Sequence, residues 1–227
     1  MSTVTAIMSA YYAHEYIGRR IMNLFSQAKP LEVIAVCQEG SREHEALRQY
    51  DVKIITTPDI PTIGKAWNLA IAQAEGNYIT TANCDDMFTV GGLTLMKQAL
   101  DEHLDIGLVF SAVNIADASG IRPWYRLHTE TGAIEGIYNV LVNRCIIGAM
   151  PLWRRSLHEV IGYFDESLIV ASDYDMWLRM ARAGVGFYYL SDICGTYELR
   201  ADSLEHRNKE RLAEENEIVR NGWRRKL

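Results

Sequence analysis

The chain lacks any apolar run approaching the ~20 residues that a bilayer-spanning helix requires. It opens on no recognisable signal peptide. A cytoplasmic protein is therefore expected, one that could still rest on the inner membrane surface. Paired cysteines are also missing. Cys37, Cys84, Cys145 and Cys194 form no CxxC and no zinc-ligand spacing, and three of them lie in or beside apolar runs. That usage suits buried thiols in a reducing compartment. Basic surplus is absent too: 23 Lys and Arg stand against 29 Asp and Glu, a net charge of −6. A nucleic-acid binder of this size normally carries the opposite balance, so no nucleic-acid partner is expected. Internal repeats, low-complexity tracts and flexible linkers are lacking as well.

What is present is ordinary globular material. The 227 residues are 48% hydrophobic and 23% charged, enough to bury a sizeable core. Apolar strand runs at Val4–Met8, 31–37, 52–55, 78–82 and 107–113 alternate with helical spacing at 14–27, 41–49, 62–75 and 93–100. The alternation predicts an α/β fold with a mainly parallel sheet and right-handed crossovers. After residue 114 the pattern changes, and glycines punctuate short extended pieces through about residue 155. A helix is expected over 172–183, strands at 186–190 and 193–199, and a charged helix from 204 to 225. The expected organisation is one domain over 1–227: a ligand-binding half (1–114), a smaller antiparallel half (115–200) facing the same cleft, and a helical tail (201–227).

Ligands of parallel sheets bind outside the carboxyl ends of the strands. That rule directs attention to 9–12, 38–41, 57–65, 82–88 and 111–114. Asn83-Cys84-Asp85-Asp86 follows the fourth strand directly. Asn and Asp after a strand also make turns. At a strand's carboxyl end, however, two consecutive aspartates can serve two targets, because neighbouring side chains in extended backbone diverge. One carboxylate can hold Mg²⁺ or Mn²⁺, and the other can accept from a ribose or sugar hydroxyl. Further on, Asp173 shares a helical stripe with Met176, Trp177 and Met180, which points it inward. Asp175 shares a stripe with Arg179 and Arg182 and is expected in solvent-side ion pairs. Ser172 or Asp173 as a plain helix cap is the alternative.

The motifs, taken in order, resemble glycosyltransferase family 2, of the inverting GT-A class. Ile7-Met8-Ser9-Ala10-Tyr11-Tyr12 matches the family's first strand and nucleotide turn. Gln38-Glu39-Gly40-Ser41 stands where Asp-Asp-Gly-Ser is usual. Gly64-Lys65-Ala66-Trp67-Asn68, Glu75-Gly76-Asn77-Tyr78-Ile79, Arg154-Arg155-Ser156, Gly162-Tyr163-Phe164-Asp165-Glu166 and Asp173-Tyr174-Asp175-Met176-Trp177 follow, so the likeness runs from about residue 3 to 200. The resemblance implies a GT-A fold and sugar transfer, of hexosyltransferase type, from a nucleotide-diphosphate donor to an acceptor hydroxyl with inversion and Mn²⁺ or Mg²⁺ assistance. It implies that Tyr11 stacks on the base, Ser9 lies beside base or ribose, and Glu39 reads the base edge. Asp85 would touch ribose or donor sugar, Asp86 would bind the metal, and Asp173 would be the catalytic base. The implied partners are a nucleotide-sugar donor, with uridine as the working guess, and a carbohydrate or lipid-linked acceptor, as in polysaccharide biosynthesis.

Several residues depart from the family pattern. Tyr12 replaces Asn, and Gln38-Glu39 replaces Asp-Asp. Arg200 sits where relatives carry a histidine and could grip the diphosphate instead, with His206 as a distant substitute ligand. Lys65 is a candidate for phosphate charge, or a solvated helix lysine. Trp124, Tyr125 and Arg126 are candidates for an acceptor platform, or for ordinary packing. The tail helix, ending Arg224-Arg225-Lys226, is left open between docking on the domain, pairing with a second copy and touching anionic lipid. Two other functions fit the same outline. A sugar nucleotidylyltransferase would show a Gly-rich basic loop after the first strand, which Ser9-Ala10-Tyr11-Tyr12 is not. A non-catalytic nucleotide-sugar-binding or scaffold subunit is kept open by Gln38-Glu39 and the missing histidine.

Overall fold

The computed structural model describes residues 3–224 except 28, 126, 128, 201 and 202. In chain order the elements are β1 (Val4–Ala10), α1 (His14–Phe25), β2 (Leu31–Gln38), α2 (Arg42–Leu47), β3 (Lys53–Thr57), α3 (Ile63–Ile71), β4 (Tyr78–Thr81), β5 (Met87–Phe88) and α4 (Gly92–Glu102). The second half adds β6 (Ile106–Asp117), β7 (Gly120–Trp124), β8 (Gly132–Ala133), α5 (Ile137–Leu141), β9 (Leu152–Arg154), α6 (Leu157–Ile161), α7 (Ser172–Arg182), β10 (Gly186–Glu198), α8 (Leu204–Arg207) and α9 (Lys209–Arg224).

One open sheet runs β3-β2-β1-β4-β9-β6-β10-β5, with β7 and β8 paired alongside. The first four strands are parallel, and so are β6 and β10. β1 and β2 are buried on both faces, which is why they read as unbroken apolar runs. Their side chains still alternate. Ile7, Ile34 and Val36 join the core under α3 and α7, while Ala6, Met8, Val33 and Ala35 join the core under α1. The α1 stripe of Ile17, Ile21 and Leu24 is fully buried there.

The expected elements differ from the observed ones in physically readable ways. The fifth expected strand, β6, is not a neighbour of the fourth. β9 lies between them, antiparallel to both, and buries Leu152 and Trp153 completely. α3 stops at Ile71, not 75. Bonds from Gln73 to Ala70 and from Ala74 to Ile71 tighten the exit into a turn. Gly76 then passes so close to Thr5 that a Cβ would meet its backbone nitrogen at 2.7 Å. The two expected strands at 186–190 and 193–199 are one strand, β10, bulged between Leu190 and Gly195. The charged tail is not one helix either, since α8 and α9 are separate. α9 docks on the domain: Val219 is buried, the Trp223 indole donates to Asp175 at 3.0 Å, and Tyr138 donates to the Trp223 carbonyl at 3.1 Å. Arg225 and Lys226 lie outside the described residues. Among the described residues no helix is long and apolar enough to cross a membrane.

Candidate active site

The carboxyl ends of β1, β3 and β4 open, with the last residues of β10 and the start of α7, onto one cavity of about 630 Å³. The β1 turn contributes Ser9, Tyr11 and Tyr12. The Tyr11 hydroxyl pairs with Thr57 at 3.0 Å. Burial pushes that phenol's pKa up, against the Thr57 bond. Tyr12 carries φ 54°, in the left-handed region, and is 67% exposed. The turn is braced from below by Glu43 of α2, whose carboxylate accepts from the Ala13 and His14 amides at 2.9 and 3.2 Å.

The two aspartates divide as neighbouring side chains should, one to the cavity and one away from it. Asp85 lines the cavity; Asp86 is fully buried and does not. The Asp86 carboxylate accepts from the Asn83 amide at 3.1 Å and from the Glu198 backbone N–H at 3.3 Å. Its pKa is pushed up to about 7, first by burial and then by Asp85, with Arg20 and the two hydrogen bonds opposing. Arg20 is itself fully buried over the Phe88 ring, and its Nε and Nη2 find no partner. Burial pulls its guanidinium down to about 10, while Asp86, Cys84 and Asp85 hold it up.

Asp85 forms an ion pair with Arg200 at 3.2 Å. Arg200 in turn lies 3.9 Å from the centre of the Tyr16 ring, so the expected arginine does stand at the cavity wall. Glu198 lines the same wall and is held by Arg19 at 2.5 Å. Burial, and then Glu198, raise the Asp85 carboxyl above its ordinary range, against its own backbone bond, Arg200 and Arg20. Asn83 also lines the cavity. Because Asp86 takes its amide nitrogen, its Oδ1 is left buried with no partner. Asn83, Asp85 and Glu198 all line this cavity, and oxygen groups of these kinds suit a hard divalent cation. Among the described residues no cluster of three or more His, Cys, Asp or Glu could hold a metal. Any such ion would therefore rely on a ligand's own oxygens as well.

The cavity is also lined by Ile169 and Val170, which precede α7, and by Ser172 and Asp173 in its first turn. The Asp173 carboxylate accepts from the Tyr174 amide at 2.7 Å. Met176, Trp177 and Met180 are buried, as the stripe required. Asp175 pairs with Arg179 at 2.8 Å, but it faces the tail helix through Trp223 and not open solvent. Arg182 lies instead near the Tyr138 ring. The cap of α7 is Ala171, with no side-chain cap bond.

Other expected site residues do not reach the cavity. Glu39 sits exposed on the turn after β2, which is held by the bond from its own N–H to the Thr57 carbonyl at 2.9 Å. Lys65 is exposed in the first turn of α3, where its backbone N–H donates to the Thr62 hydroxyl at 3.3 Å, and it does not line the cavity. Trp124 ends β7 and Tyr125 follows it; neither lines the cavity, and Arg126 lies outside the described residues. His206 bonds Ser203 and does not line the cavity. Conversely, Asn83, Glu198, Arg207 and Asn208 line it without having been singled out. Only their nearness to the strand ends and tail could have drawn attention to them.

The family model for glycosyl transferase family 2 matches residues 5–162, more than half of the chain; α7 lies beyond the match. Chondroitin synthase of Escherichia coli is 23% identical over 200 residues, covering 84% of this chain and 28% of that protein. An uncharacterised glycosyltransferase of Rickettsia prowazekii is 25% identical over 214 residues, covering 89% and 64%. This chain thus spans less than two thirds of either relative. Among solved structures, S. aureus TarS 1-349 in complex with UDP-GlcNAc superposes with a TM-score of 0.73 at 20% identity, covering 89% of this chain and 60% of that one. The mannosyltransferase PcManGT of Pyrobaculum calidifontis, in complex with GDP-Man and Mn²⁺, superposes at 0.68 and 18% identity, covering 92% and 60%. At those identities the likeness concerns the fold, a GT-A arrangement of mixed parallel and antiparallel strands.

Proposed function

The chain belongs to glycosyl transferase family 2, and on that premise we propose that it transfers a sugar from a nucleoside-diphosphate donor to an acceptor hydroxyl with inversion. The observation that carries the proposal is that Asp85 and Asp173 line the same cavity. In this reading Tyr11 stacks on the base and Ser9 borders the ribose. Arg200 and Arg207, both in the cavity wall, meet the diphosphate; Arg200 does so by exchanging its Asp85 partner for phosphate oxygens. Glu39 and Lys65 do not line the cavity, so a part for either in base or phosphate binding would need its side chain to swing in from the rim.

Asp173 acts as the general base. It takes the proton of the acceptor hydroxyl while that oxygen forms its bond to the anomeric carbon. The bond from that carbon to the donor diphosphate breaks on the opposite face, which inverts the configuration. In this reading the cation-facing carboxylate is Asp85, which lines the cavity together with Asn83 and Glu198. A bound Mn²⁺ or Mg²⁺ would supply charge stabilisation for the departing diphosphate. Asp86 instead orients Asn83 by holding its amide nitrogen. The ligands of the structural neighbours, UDP-GlcNAc in one case and GDP-Man with Mn²⁺ in the other, agree with a nucleotide-sugar donor without selecting the base.

A thermal-shift screen of UDP, GDP, their sugars and inorganic diphosphate, with and without Mn²⁺, tests the reading. A ligand present at 100 times its Kd stabilises the native state by about 2.7 kcal/mol. A clear rise in Tm with one nucleoside diphosphate, and none with diphosphate alone, is expected. No rise with any nucleotide, in either metal condition, would overturn the proposal.

A further inference from the structure

The wall that carries Asp173 is not held by its own sequence. The N-cap position of α7 is Ala171, which has no side chain able to cap, and the buried Ser172 hydroxyl has no partner among the described residues. The amides before it are instead gathered by one carboxylate from the tail. Glu215 of α9 is 5% exposed. Its Oε2 accepts from the backbone N–H groups of Ile169, Val170 and Ala171 at 3.0, 2.9 and 3.1 Å, and its Oε1 from Ile169 at 3.1 Å. Arg211, one turn earlier, donates to Oε1 at 2.8 Å and completes the carboxylate's partners.

Three consecutive N–H groups pointing at one oxygen fix the path of the chain through Ile169–Ala171. Two of those residues line the cavity, and Asp173 follows two positions later. The Asp173 carboxylate accepts from the Tyr174 amide on the same stretch of backbone, which ties it to this path. The tail does not depend on Glu215 for its docking, because Trp223–Asp175, Tyr138–Trp223 and Arg224–Asn143 hold it farther along.

We propose that Glu215 is the positioning residue for Asp173, and that α9 is a strap which sets the catalytic wall of the cavity from behind. The proposal rests on the transferase reading above for its consequence, but its geometry stands apart from it. Buried charge-assisted hydrogen bonds of this kind fix geometry firmly, and removing the acceptor leaves three amides seeking water.

The experiment compares the full-length chain with Glu215→Ala and Glu215→Gln by amide hydrogen exchange and by release of nucleoside diphosphate from UDP- and GDP-sugars. In Glu215→Ala, exchange at Ile169, Val170, Ala171 and Tyr174 is expected to accelerate by at least about tenfold, a local opening without global unfolding. Turnover should fall by about tenfold or more with donor KM within about twofold, the split that a misplaced base produces. Glu215→Gln, which keeps one acceptor oxygen, should fall between, and it serves as the readout if the alanine variant does not fold. Unchanged exchange at Tyr174 in the folded variant would overturn the inference. Accelerated exchange with unchanged turnover would also overturn it, reducing Glu215 to a fold-stabilising contact. If the wild type turns over no donor, the transferase reading fails, and the Tyr174 exchange alone then decides whether Glu215 orients Asp173.

Discussion

Replacing Asp86 by Asn should make the metal-free protein more stable at alkaline pH. Asp86 is fully buried, and its folded pKa of about 7 stands roughly three units above the 3.8 of an unperturbed aspartate. An acid whose folded pKa is raised contributes its full stability below the unfolded pKa. That contribution is lost as pH climbs from about 4 to about 7. At about 1.4 kcal/mol per unit, the loss approaches 4 kcal/mol above pH 7. Asparagine never ionises, so it escapes this loss. It does sacrifice one acceptor, because both the Asn83 amide and the Glu198 N–H donate to the carboxylate. That mismatch costs about 1–2 kcal/mol. The net gain at pH 8 is therefore about 2–3 kcal/mol, or roughly 5–10 °C in Tm for a chain of this size. Thermal melts of both proteins between pH 4.5 and 8.5, with EDTA to remove divalent cations, read the effect as a difference. Titrations away from the Asp85–Asp86 pair are common to both proteins and cancel. The difference should grow in favour of the variant through that window. A wild-type advantage that is constant, or that widens towards pH 8, would refute the reasoning.

Three further substitutions probe the scaffold around the cavity. Tyr12 holds a left-handed backbone (φ 54°) that costs an ordinary L residue about 1–2 kcal/mol and asparagine much less, so Tyr12→Asn should raise Tm by roughly 2–4 °C. Gly92→Ala would set a Cβ 2.2 Å from the Cys194 carbonyl oxygen and 2.8 Å from the Thr89 hydroxyl; urea unfolding should show a loss of about 3 kcal/mol or more. Glu43→Ala strips the acceptor from the Ala13 and His14 amides beneath the Tyr11–Tyr12 turn, and should cost about 2 kcal/mol in the same assay while weakening nucleotide binding. An unchanged urea midpoint in either of the last two would contradict the packing described.

The sequence disclosed β1, β2 and β4 because strands buried on both faces write nearly continuous runs without charge, and α1 and α7 because their stripes repeat at helical spacing. β9 was not legible. Three residues carry no period, and its place between β4 and β6 is decided by how well Leu152 and Trp153 fill the space there. The bulge at 190–195 imitates a strand break, since extra residues interrupt the alternation while the pairing with β6 continues. In the site, the divergence of Asp85 and Asp86 was readable from strand chemistry. Which of them faces the cavity was not, because residues 82–86 lie beyond β4, where the turn sets direction. Glu39 and Lys65 occupy expected positions in the chain, yet their local turns leave them exposed outside the cavity. The Glu215 clasp had no local signal at all. Its partners lie more than forty residues earlier and are backbone amides, which no side-chain pattern reveals.

The most direct test of the central claim is the turnover of Asp173→Asn beside its nucleotide affinity. Loss of a general base lowers turnover by about 10²–10⁴-fold, and the account predicts a fall of that size with the Kd for the nucleoside diphosphate unchanged. Turnover close to that of the wild type, with the acid gone from the α7 side of the cavity, would contradict it.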